Sequence, residues 1–255
     1  MAPKAPLRLR LTLMESFALW RGNRELGIAT SGQRLIALLA LRHRPAGRPY
    51  VAGTLWPDYS TERSLAALRT ALWRINEADG QVVIATSSHL RLDADIEVDV
   101  HNLVAFAHRL TKAGTAFHTV QLDSVSVADL SGDLLPDLYD GWLEDEREGL
   151  RQTRLHALEA LARGLSASGH YADAIQAALA AIRLEPLRET AHRTLIEIHL
   201  AEGNWSEAYR QFWRCRRLLR EELGVEPSES MRLLLEKTPL PARPPRLPVR
   251  AAAPR

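Results

Sequence analysis

Two periods of apolar residues divide the first hundred positions of the chain. LRLRLTLM, from Leu7 to Met14, alternates apolar positions with charged or threonine ones, the period of two that a half-buried strand requires. FALW and LGIAT, with the turn pair Gly22-Asn23, extend this to a small antiparallel sheet. Ser31 can cap a first helix over Gly32 to Arg44, with Leu35, Leu38 and Leu39 facing inward. Pro49, acceptable in a first helical turn, starts a second, shorter helix that ends before Pro57. The third helix lies within LWPDYSTERSLAALRTALWRI, Leu55 to Ile75. There Leu65, Leu68, Leu72 and Ile75 recur at three and four residues and, at about 100° per residue, form one apolar stripe. Beyond Gly80, VVIAT and HLRLD are separated by Ser87-Ser88 and predict a β-hairpin, which IEVDV completes. Sheet, three helices and terminal hairpin predict a winged helix-turn-helix over residues 1–98.

The outer face of the third helix carries the candidate chemistry. Arg63, Ala66, Ala67, Thr70, Arg74 and Glu77 fall opposite the stripe. A solvated helix face usually presents long charged side chains of both signs; here arginines flank two alanines and a threonine, which allows another surface to approach closely. A helix that reads the DNA major groove needs that. Taken alone, the same window also describes an ordinary amphipathic surface helix; its place between a short helix and a hairpin favours the reading helix.

From Asp99 onward the pattern is helical. Turn signals at Ser131-Gly132 and Pro136 precede a long helix from about Trp142 to Ser166. Then the sequence repeats: Gly169, Tyr171 and Ala174 recur as Gly203, Trp205 and Ala208, each pair 34 residues apart, and Leu161 and Leu195 keep the same offset. This is the period of the tetratricopeptide helical hairpin, with Pro186 where a repeat should end and Arg220 where the second proline would fall. Two repeats bury little by themselves, so the preceding helices are expected to complete an all-α domain over 99–238. PLPARPPRLPVRAAAPR then reads as a disordered tail over 239–255. The fold class expected is mainly α with a small β component.

Composition narrows the function more by what it excludes. At 255 residues, 46% hydrophobic and 25% charged, the chain is of ordinary globular make-up. Its longest apolar runs, such as Leu35 to Leu41, are far short of a bilayer span, and no secretory leader is evident, which points to the cytoplasm, with nucleoid association through DNA. Cys215, the single cysteine, excludes an internal disulfide and a cysteine-based zinc cluster and reads as a small buried apolar residue. Charge is uneven: 13 Lys and Arg against 9 Asp and Glu over 1–98, 16 against 22 over 99–238, and four arginines in the tail. Eight acids, Asp129, Asp133, Asp137, Asp140, Glu144, Asp145, Glu146 and Glu148, crowd one stretch, a solvated cap or a surface for a basic partner. His101 with His108, and His192 with His199, are seven apart, two helical turns, so surface or packing roles are expected before metal binding. No Walker loop, GxGxxG, HExxH or GxSxG occurs, and the expectation is a protein without cofactor, metal or catalysis.

RPAGR at Arg44 to Arg48, LWPDYSTERSLAALRTALWRI, LRLDADIEVDV, GDLLPDLYDGWLEDERE and LREELGVEPS, in that order over Leu7 to Leu235, resemble the Streptomyces antibiotic regulatory protein family. The likeness is to its short members: a winged helix similar to response-regulator output domains, then a bacterial transcriptional activation domain, with neither a receiver before nor an NTPase module after. It implies an activator that binds promoter direct repeats near the −35 element as a homodimer and recruits RNA polymerase through its sigma factor, for secondary-metabolite genes. Carried over, Arg63, Thr70 and Arg74 point into the major groove, Arg69 and Trp73 stand at its margin, and Arg91 reaches the backbone or minor groove from the wing. Trp73 packs between helices or touches a sugar or base, packing being the first expectation. Gln33 and Arg34, near a helix N-terminus, meet phosphate. The loop Trp56, Asp58, Tyr59, Ser60 and Thr61 lies where the class touches polymerase. The wing turn, Ser87-Ser88-His89, departs from the glycine-containing form. The alternative function is a tetratricopeptide-type adaptor whose winged helix docks protein.

Overall fold

A computed structural model of the protein describes residues 8–42, 44–79, 81–113, 127, 130 and 132–236; the proline-arginine tail, Leu7, Asp129, Ser131 and the side chain of Glu77 lie outside what is described. Two compact units share the chain: Met1–Phe106 with Gly132–Gln152, and Ala107–Ser131 with Thr153–Arg255. The first is therefore discontinuous in sequence, unlike the contiguous segments 1–98 and 99–238 expected from the pattern.

In the first unit, β1 (Leu9–Thr12), β2 (Ala18–Arg21) and β3 (Arg24–Leu26) form an antiparallel meander. Gly22, at φ 59°, makes the turn of the second hairpin. Residues 27–29 of the expected LGIAT strand do not join the sheet, because the chain there turns into α1 (Thr30–Leu41). The backbone carbonyl of Ala29 accepts the first helical bonds from Gly32 and Gln33, so Ala29 and not Ser31 is the cap, and no side chain helps. α1 ends at Leu41, short of Arg44, as Arg42 turns extended ahead of Pro45. β4 (Ala46–Gly47), not anticipated, leads into α2 (Arg48–Leu55), which has its proline in the first turn, and α3 (Thr61–Asp79) follows. β5 (Val83–Ala85) and β6 (His89–Leu92) form the hairpin, and β4 pairs with β6 in a three-stranded sheet. β7 (Glu97–Val98) leaves that hairpin and lies parallel to β1, closing the sheet order β3-β2-β1-β7. Alternation buries Leu11, Leu13, Leu19 and Leu26 on one side of the first sheet.

α4 (Asp99–Ala113) begins with a tie back to β1. The Asp99 carboxylate accepts the backbone N–H groups of Leu13 (2.9 Å), Met14 (3.0 Å) and Val100 (2.7 Å). Burial nevertheless raises its pKa, outweighing those hydrogen bonds, which favour the anion. The segment from Gly132 then returns to the same strand end. Met14 bridges Leu134, Glu15 N–H donates to the Asp133 carbonyl (2.7 Å) and Leu135 N–H to that of Leu13 (2.9 Å). Arg147 binds three carbonyls of this strap, those of Leu134 (3.0 Å), Leu135 (2.6 Å) and Leu138 (2.7 Å). Leu134, Leu135, Leu143 and Leu150 are buried.

The acid-rich stretch is thus partly neutralised from within. Asp140 pairs with Arg34, Glu144 with Arg147 and Glu148 with Arg151; Arg151 and Gln152 pull the exposed Glu148 carboxyl down to about 2.

In the second unit the 34-residue repeat is visible in the hydrogen bonds. α5 (Leu143–Ala167), α6 (Tyr171–Leu184), α7 (Glu189–Ala201) and α8 (Trp205–Leu223) are separated, before α6 and α8, by Gly169 and Gly203 at φ 79° and 82°. His170 N–H bonds the Leu165 carbonyl and Asn204 N–H that of His199; Ala174 bonds His170 as Ala208 bonds Asn204. Tyr171 and Trp205 start their helices, and Ala174 and Ala208 are fully buried, letting the helices approach. Arg220, in the place of a second Pro186, permits α8 to run on to Gly224, whose left-handed φ of 69° ends it. α9 (Glu229–Glu236) packs back, Met231 and Leu235 joining Ile196, Phe212, Cys215 and Leu219. Burial pushes the Cys215 thiol up to about 12. Buried Glu159 accepts from Arg188 and Thr190, both at 2.7 Å. No described helix is long and apolar enough to cross a membrane.

Candidate nucleic-acid interface

α3 is held from beneath and open above. Ser64, Leu68, Ala71, Leu72 and Ile75 are buried, while Leu65 and Ala67 are half-buried, so the core-facing arc is turned slightly from the expected one and includes Ala71. Gly32 of α1 allows the close approach: a Cβ there would lie 2.9 Å from Ile28 Cγ2 and 3.2 Å from Ile75 Cγ1. Ser60 starts the helix, its carbonyl accepting Ser64 N–H at 2.9 Å.

On the outer arc Glu62, Arg63, Ala66, Arg69, Thr70, Trp73 and Arg74 are exposed. At about 100° per residue, Ala66, Thr70 and Trp73 run along the midline opposite the core, with Arg69 on one flank and Arg63 and Arg74 on the other. The three arginines make no ion pair or hydrogen bond through their guanidinium groups with any described residue. Trp73 is 61% exposed. The expectation that it packs between helices is overturned: the ring is exposed, on the midline of the outer arc. The signal was present in the spacing: Trp73 follows Ala66 and Thr70 at i+7 and i+3. The Thr70 hydroxyl donates back to the Ala66 carbonyl at 3.1 Å, so its polar hydrogen is spent on the helix.

The wing turn is held by hydroxyls where other wings use glycine. Thr86 Oγ1 accepts His89 N–H at 2.9 Å, Ser88 Oγ bonds His89 Nδ1 at 2.9 Å, and Arg48 donates Nε–H to the Thr86 carbonyl at 2.9 Å and backbone N–H to that of Ser88 at 3.0 Å. Arg48, which closes the RPAGR run but to which the sequence alone assigns no contact, therefore secures the wing. Arg91 is exposed on β6, with only a long contact, 3.4 Å, to the Leu92 carbonyl.

Gln33 and Arg34 are differently placed. Gln33 Nε2 donates to the Ile28 carbonyl at 2.8 Å. Arg34 is engaged by Asp140: its Nε donates to both carboxylate oxygens at 2.8 and 2.9 Å, its Nη2 bonds the same carboxylate, and Nη2 also donates to the Leu55 carbonyl at 2.6 Å. Arg34 is thus ion-paired inside the fold through Nε and Nη2, where the expectation set it against phosphate. In the loop after α2, Asp58, Tyr59, Ser60 and Thr61 are exposed, Tyr59 by 54%, while Trp56 caps α2 and is half-buried. His101 and His192 bond the carbonyls of Ala40 (2.7 Å) and Pro186 (2.9 Å), and among the described residues no group of His, Cys, Asp and Glu could hold a metal ion.

A winged helix with an open arginine-bearing helix, followed by tetratricopeptide-like hairpins, defines the class of transcriptional regulator. The model of the bacterial transcriptional activator domain matches residues 95–237, and the chain belongs to that family, in its Streptomyces antibiotic regulatory protein branch. It is 28% identical over 242 residues to the regulatory protein AfsR of Streptomyces griseus and 28% over 240 residues to that of Streptomyces coelicolor, in each case over 90% of this chain. The chain spans 24% of the length of those relatives. The fold is similar to that of Mycobacterium tuberculosis EmbR, solved in complex with a low affinity phosphopeptide, with a TM-score of 0.74 at 22% identity over 92% of this chain and 66% of that one.

Proposed function

We propose that this regulator is a sequence-specific activator that lays α3 in the major groove of promoter direct repeats near the −35 element, as a homodimer, and recruits RNA polymerase, for secondary-metabolite genes. The observation that carries this reading is the outer arc of α3: three uncommitted arginines around a midline of small and apolar side chains. Arginine forks two donors onto a guanine edge or holds phosphate, and the small residues between allow the helix axis to descend into the groove. Arg63, Thr70 and Arg74 face the bases, Arg69 lies beside them, and Arg91 contacts the DNA backbone from the wing. The exposed loop Asp58 to Thr61 meets the polymerase, its sigma factor being the partner, with half-buried Trp56 as its base. Gln33 and Arg34 are left out of this interface.

Genome-wide footprinting of the tagged full chain, followed by binding to the recovered duplexes, tests the reading. Arg74→Ala is expected to lose about 1–3 kcal/mol at its cognate site and to relax one position, and Arg91→Ala to weaken all sequences alike, lowering the salt slope by about one. Equal affinity for recovered and scrambled duplexes at roughly physiological salt overturns the reading and favours a protein-docking adaptor.

A further inference from the structure

We infer that Trp73, with the methyl groups of Ala66 and Thr70, forms an apolar strip that reads the 5-methyl groups of thymine, a second mode of base recognition beside the arginines. This rests on the reading of α3 as the groove helix. Three observations carry it. Trp73 is the most exposed of the described tryptophans that any packing argument would bury, at 61%, and it stands on the midline of the outer arc, one turn beyond Thr70. Its ring is not in an aromatic or cation–π contact with a described neighbour, unlike Trp20, beneath Arg10, and Trp213, beneath Arg216. Thr70 turns its hydroxyl hydrogen into the Ala66 carbonyl, which leaves its methyl group to face outward with the Ala66 side chain.

The strip therefore offers carbon where a groove-reading helix usually offers donors. In the major groove the thymine methyl is the one apolar feature that distinguishes the base pairs, and alanine, threonine and aromatic side chains are the groups that meet it. Covering the indole against a thymine methyl removes apolar surface of both partners from water, which favours the contact. The flanks sort the remaining contacts: Arg69 on one side and Arg63 and Arg74 on the other reach guanine edges or the two phosphate rows, holding the helix so that its midline faces the floor of the groove. A ring at the margin would meet deoxyribose; one on the midline meets bases. The inferred operator is consequently mixed, guanine under the arginines and thymine under the strip.

The test uses the full-length protein and the operator recovered by footprinting, with each thymine replaced in turn by deoxyuridine, which removes the methyl and changes no hydrogen bond. Wild-type protein is expected to lose about fourfold in affinity at one or two thymines, the worth of one buried methyl group. Trp73→Ala is expected to weaken binding to the natural operator and to show no loss at one of those positions, while Trp73→Phe keeps the sensitivity in part. Because Trp73 contributes little to the core, both variants should melt with the wild type. Wild-type indifference to every deoxyuridine, or a Trp73→Ala protein with the full wild-type set of losses, overturns the inference while leaving the groove reading in place. A uniform loss by Trp73→Ala on all duplexes, natural or scrambled, also overturns it and assigns the ring to the sugar-phosphate backbone. Failure of the groove reading itself is separate: the wild type would then bind natural and scrambled duplexes equally.

Discussion

Replacing Arg34 by alanine separates an internal strut from a DNA contact. In the structure its guanidinium forks onto Asp140 and also reaches the Leu55 carbonyl, with 23% and 12% of the two side chains exposed. Removing one member of a fully buried pair costs about 3–5 kcal/mol, because the other charge is left without compensation; with Arg34 about a quarter open to solvent, roughly 2–3 kcal/mol is the reasonable scale for Arg34→Ala. At about 3–4 °C per kcal/mol for a unit of this size, that is a fall in Tm of about 6–12 °C. Asp140→Ala should cost a similar amount, and the double variant little more than either single one, so a double-mutant cycle should return a coupling of about 2 kcal/mol. The assay is thermal and urea unfolding of the four proteins, paired with operator binding across a salt series below the melting range. Binding should keep the wild-type dependence on salt. A slope lower by about one for Arg34→Ala, with an unchanged Tm and a coupling near zero, would refute the strut and restore a phosphate contact.

Other consequences concern the second unit. Gly169→Ala and Gly203→Ala place a Cβ at φ 79° and 82° in open space, so the cost is backbone strain alone, about 1–2 kcal/mol each, read as additive shifts of the urea midpoint. Cys215, with a thiol held near pKa 12, should resist a thiol-specific reagent at neutral pH until the protein is unfolded, and rapid reaction of the native protein would contradict its burial. His192 is kept neutral by burial, Nε2–H donating to Pro186 and Nδ1 accepting from Gln211. Its folded pKa lies below the ordinary histidine value of 6.5, so its contribution is present above that pH and is lost as pH falls through the lowered value. His192→Asn should flatten the fall in stability below pH 6.5; an undiminished fall would assign it to another group.

The sequence made most of this legible where one local rule acted alone. The 34-residue spacing located the helical hairpins because glycine, aromatic and alanine each serve a separate need, a left-handed turn, a helix start and a close approach. The stripe Leu68, Leu72 and Ile75 placed α3 against the core for the same reason. The pairing of Arg34 with Asp140 is not legible in the sequence, because the two lie 106 residues apart, a distance over which no periodicity carries information. Ser31 offered a capping side chain, yet the chain turned two residues earlier, where the Ala29 carbonyl was available. Trp73 shows a third limit: size and apolarity argued for burial, while its angular position, readable from Ala66 and Thr70, argued for exposure and prevailed.

The return of Gly132–Gln152 to the first unit bears on how such a regulator can be cut, fused or recombined. A domain with one beginning and one end can be transplanted at a single junction. Here the polypeptide passes between the two units three times, at Phe106, Ser131 and Gln152. A chimera joined after Val98 would carry α3 and the wing but lack the strap that bonds Leu13 and Glu15 and the carboxylates of Asp99 and Asp140. Substitution of single side chains along α3 leaves those ties in place, whereas exchange of a segment at one junction cuts them.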